Sequence, residues 1–218
     1  MKKNEKRSVG ISVTVDLLVF TVEQERLKVL LIERAEEPFA GMLALPGVAV
    51  RSDEALDDAA ARGILEETGL EDIFFEQLYS FGKVDRDPRN RVVSVAYMAL
   101  VPQKDLHFHA GQRTSAAELV DVGQLLGSDT ELAFDHKDII SLGRERLKGK
   151  VEYTTIAFHL VDEEFSLPQL QRVYEILLGK SLYKANFRKK VMPLIEETEH
   201  STSGDAHRPS RLYRLAEV

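Results

Sequence analysis

Residues 47–70 read GVAVRSDEALDDAAARGILEETGL, and this stretch determines how the rest of the chain is interpreted. Apolar residues at three- and four-residue spacing predict a helix over 54–68, and Gly69 follows where helices commonly end on a left-handed glycine. Glu66 and Glu67 lie side by side in its last turn. A carboxylate-bearing helix face can hold Mg²⁺ beside a diphosphate, whereas a bare pair of glutamates is more often a solvated surface charge.

The composition is that of a folded globular protein. The 218 residues are 44% hydrophobic and 30% charged, which fits one large or two small domains. There is no Cys, so disulfides, thiolate catalysis and Cys-ligated metal centres are excluded. No apolar run approaches the roughly 18 residues of a membrane span. Because the basic start, Met1–Arg7, leads into no long apolar segment, we expect no signal peptide and a cytoplasmic protein.

The apolar patterning predicts alternating strands and helices around this helix. Strands are predicted at 11–20, 29–32, 43–46, 73–81 and 91–101, and helices at 115–127 and 135–148. The character of the chain changes near Lys148-Gly149-Lys150. We therefore expect one domain over residues 1–150 and a second over 151–218.

The second domain has a different order of elements. A strand-like segment, Tyr153–Leu160, precedes Ser166-Leu-Pro-Gln169, which is a capping box with proline in the first helical turn. The helix that follows ends at Gly179, a short link leads to a basic helix over 182–194, and Arg211–Leu215 is strand-like. A helix, a tight turn, a basic helix and a hairpin are typical of a winged helix-turn-helix.

The charge is distributed unevenly along the chain. The net charge of -7 argues against nucleic-acid binding by the protein as a whole. From Lys180 onward, however, eight basic and five acidic residues give about +3, which leaves about -10 for residues 1–179. An acidic body with a basic end fits a protein that contacts nucleic acid with one part only, although a split of this size is also typical of a solvated face.

The stretch from Glu54 to Leu70 resembles the Nudix box in residue type and spacing. Two departures stand out: one extra residue after Gly47, and Gly63 where the family has glutamate. The resemblance implies a Nudix α/β/α sandwich with a mixed sheet.

The resemblance also implies which residues remain of the catalytic machinery. The remaining box residues are Glu54, Arg62, Glu66 and Glu67, and Mg²⁺ would bind Glu66 and Glu67. Because Gly63 removes a carboxylate, we expect weak or no Mg²⁺-dependent hydrolysis, and we expect Gly63→Glu to raise turnover.

Three arginines, Arg86, Arg89 and Arg91, lie on the predicted loop 82–91. Guanidinium groups suit phosphate contacts and stacking on a purine, although for an isolated loop of this kind a charged turn, in which Asp85 and Asp87 pair with the arginines, is the more common arrangement. The loop resembles the Arg-Asp-Pro-Arg signature of Nudix proteins that recognise ADP-ribose-like ligands, and Ala133–His136 resembles another segment of that subset. The resemblance implies ligand contacts from these three arginines and from Glu66 and Glu67.

The carboxyl-terminal segments resemble the winged helix of the NrtR family, the Nudix-related transcriptional regulators of NAD metabolism. The segments are Phe165–Gln171, Asn186–Lys190 and Arg208–Arg214, and the resemblance covers all but the first few residues. It implies an α+β protein that acts as a dimeric repressor on palindromic operator DNA and senses ADP-ribose through a weakened Nudix domain. The DNA-binding residues that it implies are Lys184, Asn186, Arg188, Lys189, Lys190, Arg208, Arg211 and Arg214.

Two other functions remain open at this point. One is an active ADP-ribose or nucleotide-sugar pyrophosphatase whose winged helix serves dimerisation; Glu54, Glu66 and Glu67 favour it, while Gly63 and the basic helix favour the regulator. The other is a protein–protein adaptor built on an inactive Nudix fold, which no positive feature supports.

Overall fold

The computed structural model describes residues 10–106, 114–202 and 210–216. Within these ranges the elements are β1 (Ser12–Glu23), β2 (Arg26–Arg34), β3 (Leu43–Ala44), β4 (Gly47–Ala49), α1 (Leu56–Thr68), β5 (Phe74–Phe81), β6 (Val92–Leu100), β7 (Thr114–Asp121), α2 (Val122–Gly127), α3 (His136–Lys150), a 3₁₀ helix (Ile156–Leu160), β8 (Phe165–Ser166), α4 (Leu167–Leu178), α5 (Lys184–Val191), a second 3₁₀ helix (Met192–Leu194), β9 (Ile195–Ser201) and β10 (Arg211–Leu215). No helix in these ranges is long and apolar enough to cross a membrane.

The first part of the chain forms a mixed sheet covered on both faces. The strand order is β3-β2-β1-β6-β5, with β4 paired to β1 and β7 to β2, and β1 runs parallel to β6. Both faces of β1 are buried, since Leu17 and Val19 belong to the cluster under α1 while Leu18 and Phe20 belong to the cluster under α3. The predicted Nudix α/β/α sandwich with a mixed sheet is confirmed.

Two glycines let the covering helices approach the sheet closely. A Cβ atom at Gly63 of α1 would lie 2.8 Å from Leu17 Cδ1, and one at Gly143 of α3 would lie 2.0 Å from Leu18 Cδ2. Both distances are shorter than side chains tolerate, so each helix packs against β1 through a position that has no side chain.

The carboxyl-terminal part is the predicted winged helix. Ser166 caps α4, as Gln169 N–H donates to its hydroxyl and the Gln169 side chain accepts from Ser166 N–H at 2.8 Å. Gly179 ends α4 in the left-handed conformation, with φ of 68°. Strands β8, β10 and β9 pair in that order beside α4 and α5.

One apolar core joins the two parts. The cluster that contains Leu18 and Phe20 continues through Leu147 of α3 and Phe158 of the first 3₁₀ helix to Leu170 of α4. Because these side chains pack as one cluster, α3 is a shared wall between the sheet and the winged helix.

Two predicted elements were wrong. Residues 115–121 of the predicted helix 115–127 belong to β7, because this segment pairs with β2 (Leu30 opposite Leu119, Ile32 opposite Ala117). Such tertiary pairing overrides helix propensity. The helix starts only at α2, where the Asp121 side chain accepts from Gln124 N–H at 2.7 Å. The strand-like 153–160 contains a buried 3₁₀ helix, since periodicity alone does not distinguish a short apolar strand from a helical turn.

Candidate functional site

A cavity of about 990 Å³ opens beside the end of α1. It is built by β1, β2, β4, α1, the loop between β5 and β6, and the start of α3. The residues that line it are Thr14, Asp16, Ile32, Arg34, Ala35, Glu36, Leu45, Gly47, Val48, Ala49, Arg51, Arg62, Glu66, Glu67, Arg86, Asp87, Arg89, Val92, Phe134 and His136. This volume is at the upper end of the range of small-molecule sites.

Arg62 organises the predicted box residues. Its guanidinium donates to Glu54 at 2.6 and 3.1 Å, to Glu66 at 3.3 Å and to the Ala49 carbonyl at 3.1 Å. The hydrogen bonds from Arg62 and from the backbone N–H of Arg51 lower the pKa of Glu54 to about 2. Glu54 and Arg62 therefore hold the loop before α1 against the helix, and Glu66 is drawn towards an arginine.

Two carboxylates of α1 face the cavity. Glu66 and Glu67 both line it, and burial together with the nearby Glu66 charge raises the pKa of Glu67. Among the described residues, no group of three His, Asp or Glu side chains could hold a metal ion. Gly63 faces Leu17 rather than the cavity, so the expectation that a glutamate there would simply complete the carboxylate face does not fit this geometry.

Arg86 is a buried structural cation. Its guanidinium donates to Asp16 at 2.9 Å and to Asp135 at 2.7 Å, and its side chain is only 4% exposed. Asp16 also lies 3.7 Å from His136 Nε2, while His136 Nδ1 accepts from Leu45 N–H at 2.8 Å. Burial lowers the pKa of His136, so its ring is neutral at pH 7. These groups form one edge of the cavity, and the charge of Arg86 is already compensated.

The other two loop arginines differ from Arg86 and from each other. Arg89 lines the cavity, is 53% exposed and pairs with Asp87 at 2.8 Å. Arg91 does not line the cavity; its guanidinium donates to the carbonyls of Gly82 and Lys83, both at 2.9 Å, and so fastens the two ends of the loop.

Sequence reasoning missed two cations, Arg34 and Arg51. Both line the cavity, and within the described ranges neither has a carboxylate within 4 Å. Arg34 Cζ lies 4.8 Å from the centroid of the ring of Phe134. Phe134 belongs to the segment Ala133–His136, which resembles a segment of ADP-ribose-recognising Nudix proteins. The position of Arg34 at the end of a buried strand is a signal that could have identified it.

The basic helix α5 presents a polar face. Lys184, Asn186, Arg188 and Lys189 are exposed, whereas Phe187 and Val191 are buried. Lys190 turns back on the protein: its Nζ donates to the Glu152 carbonyl at 3.0 Å and lies 5.2 Å from the centroid of the Tyr174 ring.

The arginines of the β9–β10 hairpin are paired. Arg211 bonds to Glu197 and Arg214 to Glu196 across the two strands. Arg208 lies outside the described residues. The hairpin therefore carries less free positive charge than its sequence indicates.

The fold and the cavity define a class: a Nudix-type domain joined to a winged helix. The NUDIX domain family model matches residues 11–142, and the NrtR DNA-binding winged helix domain model matches residues 157–215. The ADPR responsive transcriptional repressor NtrR of Acinetobacter baylyi is 39% identical over 207 residues, which cover 93% of this chain and 81% of that protein. The chain therefore belongs to the NrtR family.

Solved structures agree with this assignment. The crystal structure of Shewanella oneidensis NrtR with a 27-mer DNA is 34% identical and superposes with a TM-score of 0.83, covering 94% of this chain and 93% of that one. The Nudix domain of the same protein in complex with ADP ribose is 32% identical with a TM-score of 0.57, covering 67% of this chain and 94% of that one.

Proposed function

We propose that the protein is a transcriptional repressor of NAD-metabolism genes that releases operator DNA when its Nudix domain binds ADP-ribose or a related nucleotide. The relatives support both parts, since one is named an ADPR responsive repressor and the Shewanella protein has been crystallised with DNA and, as its Nudix domain, with ADP ribose. On this proposal residues 1–150 sense the ligand and residues 151–218 bind DNA.

One observation carries the ligand half of the proposal: several arginines line the cavity. Arg34 and Arg51 have no carboxylate partner within the described ranges, and Arg89 is half exposed, so the cavity suits an anionic diphosphate. On α1 the Mg²⁺ ion that the resemblance implies would find two carboxylates, Glu66 and Glu67, and Glu66 is paired to Arg62. Binding without efficient hydrolysis is what a sensor requires.

The DNA half rests on α5. Lys184, Arg188 and Lys189 are exposed and have no ion-pair partner in the part of the chain that the structure describes. They suit phosphate contacts, and we propose that the exposed Asn186 reads a base edge. A single small module rarely reaches useful specificity, so we propose a cytoplasmic homodimer on a palindromic operator.

The two halves are connected through α3. Arg86 of the ligand loop is bonded to Asp135, which precedes α3, and the far end of α3 packs in the core of the winged helix. A second tie joins Glu25, in the turn between β1 and β2, to Arg172 of α4. A ligand that moves the loop can therefore bias the position of α5 through packed contacts.

The decisive experiment is a DNA-binding titration with and without ligand. Fluorescence anisotropy on DNA from upstream of NAD-biosynthesis genes should show tight binding that saturating ADP-ribose weakens by about 5- to 150-fold. The same DNA should weaken ADP-ribose binding by the same factor. Binding to DNA that is indifferent to ADP-ribose would overturn the sensor half and leave the DNA-binding half standing.

A second candidate is ADP-ribose pyrophosphatase activity, which the intact arrangement of Glu54, Arg62 and Glu66 favours. Release of AMP from ADP-ribose in the presence of Mg²⁺ would measure it. Turnover at an ordinary enzyme rate, roughly 1–10³ s⁻¹, would make the catalytic function primary.

A further inference from the structure

Two aromatic residues beside the cavity occupy a backbone conformation that side chains rarely adopt. Phe39 has φ of 68° and Phe134 has φ of 55°. Their rings contact each other edge to face, with centroids 4.8 Å apart. Strained conformations of this kind persist where the surroundings enforce them, and they cluster at ligand sites. Here the strain places the Phe134 ring in the wall of the cavity.

The Arg34 guanidinium covers this ring and is held in a fixed orientation. Its Cζ lies 4.8 Å from the Phe134 ring centroid, its Nε donates to the Pro38 carbonyl at 2.8 Å, and its Nη2 contacts the Glu36 carbonyl at 3.4 Å. No carboxylate in the described ranges lies within 4 Å of it. Burial and the nearby Arg89 charge lower the pKa of Arg34, and the charges of Asp87, Glu36 and Glu37 offset this only in part.

We propose that the Arg34 guanidinium, backed by Phe134, is the platform on which the nucleobase of the ligand stacks, and that it selects purines. A planar guanidinium stacks on aromatic rings, and a purine offers a larger π-surface than a pyrimidine. Arg89, whose charge acts on Arg34, remains available for the diphosphate. This inference rests on the proposed nucleotide sensing, and it assigns base recognition to β2 and the start of α3 rather than to the arginine loop.

Calorimetric titrations with ADP-ribose, ADP and UDP test this platform. The wild type should bind ADP about tenfold more tightly than UDP. Arg34→Lys keeps the charge but loses the planar group, so it should weaken the binding of ADP and of ADP-ribose about tenfold and the binding of UDP far less. The preference for ADP over UDP should therefore largely disappear. Phe134→Leu keeps apolar bulk and the same backbone strain but removes the ring, and it should also reduce the preference.

Arg26→Lys is the matched control, because Arg26 pairs with Asp121 and does not line the cavity. This variant should bind all three ligands with the affinity of the wild type. If Arg34→Lys has the wild-type melting temperature and weakens ADP and UDP equally, Arg34 is a simple counter-charge and the platform is wrong. Should Phe134→Leu fail to fold, Arg34→Lys alone decides. A wild type that binds neither ADP-ribose nor ADP would overturn the proposed nucleotide sensing, and the platform with it.

Discussion

Arg86 and Arg89 lie three residues apart on one loop, yet replacing them should change different properties of the protein. Sequence reasoning assigns both to the ligand. In the structure Arg86 lies between Asp16 and Asp135, whereas Arg89 reaches the cavity from a half-exposed position with one carboxylate partner. We therefore expect Arg86→Ala to lower the stability of the fold and Arg89→Ala to lower ligand affinity.

The magnitudes follow from burial. The side chains of Arg86, Asp16 and Asp135 are 4%, 9% and 7% exposed, so Arg86→Ala leaves two carboxylates buried without their cation. Breaking a buried ion pair in this way costs about 3–5 kcal/mol. For a protein of this size each kcal/mol lowers the melting temperature by about 2–4 °C, which gives a fall of roughly 6–20 °C. Arg89→Ala should instead remove a charge-assisted phosphate contact and weaken ADP-ribose about ten- to a hundredfold.

Thermal unfolding and calorimetric titration of the same variants separate these effects. Lys83→Ala is a control on the same loop, because Lys83 pairs with Asp138 at the exposed surface and should change neither quantity. If Arg86→Ala has the melting temperature of the wild type but binds ADP-ribose more weakly, this assignment is refuted, since Arg86 would then be a ligand contact and not a structural cation.

Three further predictions concern other parts of the molecule. Gly63→Ala should lower the melting temperature, whereas Gly149→Ala, where a Cβ meets nothing within 4 Å, should raise it slightly; equal effects would contradict the close helix–sheet approach. When DNA affinity is measured over a series of salt concentrations, Lys189→Ala should reduce the slope of log affinity against log salt by about one per protomer, and Lys190→Ala should reduce it by less. A larger reduction for Lys190→Ala than for Lys189→Ala would show that Lys190 leaves Tyr174 to reach DNA. Glu54→Gln should have a lower melting temperature than the wild type at pH 7, and this difference should close as the pH falls from 4.5 towards about 2. The reason is that the hydrogen bonds that lower the pKa of Glu54 stabilise the fold only while this carboxyl is ionised. A difference in melting temperature that does not change with pH would contradict this.

Much of the fold could be predicted because its signals are local. The capping box at Ser166 and the glycine at 179 mark both ends of α4, and the apolar runs of β1 and β6 mark buried strands. The segment 114–121 could not be predicted in this way, because its strand conformation depends on pairing with β2, which lies about 85 residues earlier in the chain.

The site was less predictable because the roles of its charges depend on their partners. The loop arginines look equivalent in sequence, but burial beside Asp16 and Asp135 makes Arg86 structural, and carbonyl acceptors hold Arg91 away from the cavity. Arg34 belongs to no motif and becomes part of the site only when Phe134, a hundred residues later, is folded against it.

The same dependence on partners limits the DNA-binding surface. The predicted cations Arg211 and Arg214 are bonded to glutamates, and Lys190 is bonded to the protein itself. The exposed cations on α5 that have neither an ion-pair partner nor a hydrogen bond from the side chain in the described ranges are Lys184, Arg188 and Lys189. If each neutralises one phosphate, log affinity falls with log salt at a slope of about -3 for one protomer and about -5 for two. The phosphate contacts of one protomer are therefore too few for a tight complex with DNA. Two protomers bound in adjacent major grooves would roughly double the electrostatic contribution to affinity. In the proposed homodimer, a ligand that alters the spacing of the two α5 helices would then remove the DNA contacts of one protomer without contacting the residues that make them.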